Sequence, residues 1–219
     1  YLELVDPTLE EGVPESGWSQ LSSRFTPLLI ALGIHLAAWS LGGLLLRLLR
    51  WDHQRDGLER MVFASALGLS GLALMTLAFG LAGWLYRELF LVILIAVVIA
   101  EQVLRFRSRQ RTFPDPQKPS ARSRINQPEE IHDTRLRTVC LCLVTPFLLA
   151  MLLGSLLPSF DFDVKAYHLQ GPKEFFQSGG IEFLPHNVYT SFPFLTEMLS
   201  LLSMVLRDDW FEGALAGKA

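Results

Sequence analysis

Cysteine is almost missing from this chain: its 219 residues include only Cys140 and Cys142. Two thiols two positions apart in an apolar run are too close for an ordinary disulfide and wrongly spaced for a zinc pair. A disulfide-stapled or zinc-stabilised fold is therefore excluded, and core packing is their expected role. Charge is scarce as well, at 19% of residues against 50% hydrophobic, and the mean hydropathy is +0.32. That balance excludes an ordinary soluble domain and predicts a polytopic membrane protein. The start shows no basic head, short apolar core and small-residue cleavage site, so targeting is expected to come from the spans themselves. Tyr1 in place of Met, and a final "WFEGALAGKA" that reads as the opening of a helix, lead us to expect an internal piece of a longer protein.

Apolar runs broken by short charged stretches predict an all-α polytopic membrane protein. Four to five transmembrane helices are expected, with a partly helical outer loop that includes interfacial helices. Residues 1–25 hold five acids, one Arg and two prolines without apolar periodicity, which reads as a polar N-terminal arm. N-terminal transmembrane helices 1 to 3 fill residues 26–104. The first, 26–49, is about long enough to cross a ~30 Å hydrocarbon core, and its His35 is expected to bond a neighbouring helix. The second, 61–86, has no charge, and pairs such as Ala64 and Gly68 recur at the spacing that lets helices approach closely. Arg87 and Glu88 are expected to form a tight hairpin, followed by a shorter third span over 89–104 whose Glu101 snorkels to the membrane surface.

Residues 105–137 carry nine Lys or Arg against four acids, with four prolines. Like "RLLRWDHQRDGLER" at 47–60, this stretch reads as a cytoplasmic loop by the positive-inside rule. With only Phe106 and Phe113 interleaved, it lacks the aromatic platform of a nucleic-acid surface, and no nucleic-acid partner is expected. A fourth span follows over 138–157, with Pro146 tolerated inside it. Charge alternation then puts residues 158–208 on the outer face as a loop with interfacial helices, and the next span begins in 209–219.

The outer segment is where reactive side chains collect. Asp161, Asp163, Lys165, Tyr167, His168, Lys173 and Glu174 follow the fourth span directly, interleaved with Phe160, Phe162, Phe175 and Phe176. If 161–169 is helical, Asp163 and Tyr167 lie one turn apart on one face. A carboxylate beside phenol and imidazole donors can be held ionised and oriented, as a general base requires. Two acids at i and i+2 could instead clasp a divalent cation such as Mg or Mn, and the pattern leaves that open. Glu197 is expected to pair locally with a Lys or Arg. Residues 193–206 are expected to form a helix along the outer membrane face, with the next span starting near Trp210.

The order "D-x-x-x-Y-H, P-K, G-G, extended link, Tyr, F-P, amphipathic helix, D-W" after an inward-to-outward span resembles the first outer loop of the GT-C glycosyltransferases. This superfamily includes protein O-mannosyltransferases and the bacterial lipopolysaccharide and aminoarabinose transferases. The resemblance covers residues 146–219. It implies transfer of a sugar from a polyprenyl-phosphate donor to a hydroxyl on a lipid, glycan or protein acceptor, with inversion at the anomeric carbon. It also implies a multi-pass protein of the bacterial inner (plasma) membrane with its catalytic loop on the outer face. Carried over, Asp163 is the catalytic base and Asp161 the second candidate. Lys165 or Lys173 would receive the departing phosphate, while Tyr167 and His168 orient the carboxylate or bind sugar. The family's adjacent acidic pair is here split as "DFD", so the choice of aspartate stays open. Two rivals remain: a non-enzymatic membrane subunit or transporter-like piece, and a polymerase or ligase of surface polysaccharide.

Overall fold

The computed structural model describes residues 25–51, 57–111, 128–155, 162–191 and 194–218, and within these every regular element is a helix. The long helices are α1 (Phe25–Leu48), α2 (Gly57–Leu81), α3 (Arg87–Arg111) and α4 (Pro128–Ser155). Each contains a segment long and apolar enough to cross a membrane. The chain is therefore an all-α protein with the character of a multi-pass membrane protein. Beyond α4 come a π-helical turn (Val164–His168), α5 (Gln170–Ser178), a 3-10 turn (Val188–Ser191), α6 (Glu197–Arg207) and α7 (Trp210–Lys218). Residues 1–24 of the polar arm, 112–127 of the basic loop and 156–161, which include the start of the outer segment, lie outside the described residues.

Lipid tails are as apolar as leucine, so helices in a bilayer associate through close packing of small residues more than through hydrophobic burial. The α1–α2 contact follows that rule. A Cβ on Gly42 would stand 1.7 Å from the Ala64 carbonyl oxygen, and one on Gly68 would stand 1.7 Å from that of Ala38. The two backbones touch at reciprocal glycine–alanine pairs, as the four-residue spacing of Ala64 and Gly68 predicts. Buried hydroxyls of α1 and α2 are satisfied within their own helices: Ser40 donates to Leu36 O at 2.8 Å and Thr76 to Leu72 O at 2.9 Å.

Several sequence expectations are corrected. The third span is not short, because the helix runs on through Arg105 and Arg107 to Arg111. Arg87 and Glu88 do not make the hairpin; they open α3, and the turn before them is closed by Gly83 N–H to Gly80 O at 3.0 Å and Trp84 N–H to Phe79 O at 2.8 Å. His35 reaches no neighbouring helix, and its Nδ1 lies 2.9 Å from Ala31 O of its own helix, with the ring exposed. Cys140 and Cys142 are exposed on α4 rather than packed in a core. Every side chain of α4 from Arg135 to Gly154 is exposed.

The helix after the outer segment is also placed differently. From Met198 to Leu206 only Leu199 escapes full burial, because α6 packs on α1, α2, α3 and α7. Met198, Leu201, Leu202 and Val205 join Ile34, Leu72, Phe90 and Leu94 in one core. Asp208, at φ 58°, ends α6, and Asp209 Oδ1 then accepts the Glu212 N–H at 2.7 Å to start α7 at Trp210, where the sequence places it. Burial thus makes α6 a supporting wall for the segment before it.

Candidate functional site

Residues 162–191 are pinned to the bundle at the end where α2 finishes and α3 begins. Ile181 N–H donates to Gly80 O at 2.8 Å, and the Ile181 side chain occupies the space that a side chain at Gly80 would need. Gly179, at φ 75°, caps α5 in the left-handed conformation that glycine adopts without strain, and so turns the chain toward Ile181.

Asp163 stands exposed at the head of the π-helical turn. In that turn Leu169 N–H reaches back five residues to Val164 O at 2.9 Å, a widened geometry seen mostly as single turns and often at functional sites. The buried Asn187 side chain donates to Ala166 O at 3.0 Å, which ties the turn to the chain 21 residues later. Lys165 and Tyr167 lie in the same turn, although their side chains are outside what is described, and Asp161 falls wholly outside the described residues.

Two imidazole–carboxylate pairs flank the turn. His168 Nδ1 lies 2.5 Å from Glu197 Oε1, and the ring stacks on Phe194 with centroids 6.4 Å apart. His186 Nε2 lies 2.7 Å from Glu174 Oε2, while the other oxygen of Glu174 accepts from Gln170 Nε2 at 2.7 Å. In each pair the carboxylate is the more buried partner and the imidazole the more exposed, at side-chain exposures of 12% against 44% and 18% against 64%. A carboxylate held in this way fixes its imidazole's orientation. Glu197 therefore pairs with His168, not with the Lys or Arg that the sequence suggested.

Lys173 is only 7% exposed, and its ammonium sits 4.1 Å from the Trp210 ring centroid in a cation–π contact. It thereby joins α5 to α7. Arg207 bonds Glu212, whose carboxylate raises the guanidinium's pKa above its ordinary value and holds it charged. Among the described residues no group of three or more His, Cys, Asp or Glu could hold a metal ion.

A second polar cluster lies at the opposite end of the bundle. Glu101 does not snorkel: its side chain is fully buried, with Oε1 2.6 Å from Arg105 Nε, 3.3 Å from Arg47 and 3.9 Å from Arg60. Guanidinium groups from α1, α2 and α3 thus share one carboxylate, and Trp39 covers Arg105 at 4.7 Å. Gly43 makes room for it, since a Cβ there would stand 2.8 Å from Glu101 Oε1. Glu101 Oε2 is buried and accepts no hydrogen bond among the described residues. The i,i+4 spacing of Glu101 and Arg105 was the one sequence signal for this knot.

The candidate site thus has an exposed carboxylate on a widened helical turn, an imidazole oriented from another helix, and a rigid attachment to the bundle. No protein-family model, no curated protein and no solved structure matches this chain.

Proposed function

We propose that the chain is part of a membrane glycosyltransferase of the GT-C kind, which moves a sugar from a polyprenyl-phosphate donor to an acceptor hydroxyl, with Asp163 as the base. The observation that supports this best is the exposed Asp163 carboxylate at the head of a π-helical turn that Asn187 and the His168–Glu197 pair hold in place. Such a carboxylate can take the acceptor's proton as its oxygen attacks the anomeric carbon and the polyprenyl phosphate leaves from the opposite side. His168, oriented by Glu197, is suited to hydrogen-bond the sugar, with Tyr167 beside it in the chain. Lys165 is the cation proposed for the departing phosphate, because Lys173 is drawn under Trp210 and serves to join helices. Asp161 remains the alternative base. The proposed setting is the outer face of a bacterial inner membrane.

A non-enzymatic membrane subunit is the second reading, and the bare surface of α4 favours it, since a helix exposed all round suits assembly with other chains. The two part in a transfer assay of the full-length protein with a polyprenyl-phosphate sugar, run with and without chelator. For a transferase, Asp163→Asn lowers kcat by roughly 100-fold or more with helical content unchanged. Loss in Asp161→Asn instead moves the base to that residue. Full activity in both variants would eliminate an outer-loop aspartate base.

A further inference from the structure

A groove of about 540 Å³ runs between α1 and α3, and Leu206 and Arg207 at the tip of α6 also line it. Its walls are apolar, with Leu29 and Gly33 from α1 facing Leu91 and Ile95 from α3, and among the described residues the charged groups lining it are Arg87 and Arg207 at its mouth. Arg87 is exposed and forms no ion pair among the described residues. Arg207 bonds Glu212 and keeps 36% of its side chain exposed, while Glu88, next to Arg87 in sequence, does not line the groove.

We propose that this groove binds one acyl chain of an anionic bilayer phospholipid, whose phosphate sits between Arg87 and Arg207. Depth supports that occupant. The α3 wall extends from Arg87 to Ile99, which at 1.5 Å per residue is about 18 Å, close to half of a ~30 Å hydrocarbon core. The groove therefore spans one leaflet, the reach of a phospholipid chain, and a polyisoprenoid tail would overrun it. Charge at the mouth completes the match, since a headgroup phosphate meets two guanidinium groups at the level where headgroups lie. Gly33 opens the wall: a Cβ there would meet nothing within 4 Å. This site stands apart from the proposed sugar transfer and does not depend on it.

The test is native mass spectrometry of the full-length protein released from bilayers of equal phosphatidylglycerol and phosphatidylcholine, with circular dichroism to confirm folding. The wild type is expected to retain one phosphatidylglycerol per chain in preference to phosphatidylcholine. Arg87→Gln is expected to reduce that preference about fivefold, the effect of one guanidinium near a membrane surface. Gly33→Trp adds bulk to the groove wall at a position where a Cβ meets nothing within 4 Å, and is expected to abolish retention with helicity unchanged. Equal retention of the two lipids, or unchanged retention in both variants, would overturn the proposal. So would preferential retention of added polyprenyl phosphate, which assigns the groove to an isoprenoid lipid, or a wild-type dimer that Gly33→Trp makes monomeric, which assigns it to a second copy.

Discussion

Helices α1 and α4 are both apolar and of spanning length, yet one is built into the protein and the other touches almost nothing. Along α1, Ala31, Ala37, Ala38, Gly42 and Gly43 are buried against neighbours. Over 139–153, α4 presents Val, Leu, Phe and Met on every side, and each is exposed. Hydropathy cannot separate them, as the two spans score 1.9 and 2.2. What separates them is the distribution of small residues, which decides whether two backbones can come close enough for packing to hold them in lipid. Apolar character brings a helix into the membrane, and glycine and alanine choose its neighbour.

The strongest way to break that contrast is to put a side chain where the α1 and α2 backbones touch. Gly68→Leu places carbon inside the Ala38 carbonyl, and we expect a cost above about 4 kcal/mol. It is read as loss of the folded monomer on size-exclusion chromatography in mild detergent. Glu101→Ala comes next, since it leaves three guanidinium groups without their shared carboxylate. Those groups are each about a quarter exposed, so the cost should fall below that of a fully buried pair, at about 2 kcal/mol. A thermal melt in detergent measures it, and Glu101→Asp should recover part of the loss. The smallest effect belongs to α4: Leu148→Ala is expected to shift the melt by less than about 0.5 kcal/mol, as at other exposed positions. A loss of 2 kcal/mol or more there would show that α4 has a partner in the full-length protein and would erase the contrast with α1.

Much of this fold is written in local patterns. Apolar runs of spanning length locate α1, α2 and α4, and "WFEGALAGKA" reads as a helix opening at Trp210. Errors arose wherever the deciding contact was distant in sequence. Arg105 and Arg107 looked like the end of a span, because nothing local shows that Glu101 draws Arg105 inward and that Arg47 and Arg60 arrive from other helices. Residues 193–206 read as interfacial because an amphipathic helix shows that it has a partner without naming it; here the partner is the bundle. At the candidate site, the cluster of reactive residues was legible and its pairing was not. His168 and Glu197 are 29 residues apart, and Glu197 stood out only as a lone acid opening an apolar helix. Lys173 was read for its charge, and its surroundings make it a packing residue on Trp210.

Glu101 has a mechanical consequence as well. One carboxylate gripping α1, α2 and α3 at a single level acts as the pin of a pair of tongs, while the arms of α1 and α3 lie apart at the Arg87 end with α6 wedged between their tips. Rotation about the pin moves the tips more than the hinge. Any rotation of α1 against α3 about that point would be felt most at the far end, where α6 carries Glu197, the partner of His168.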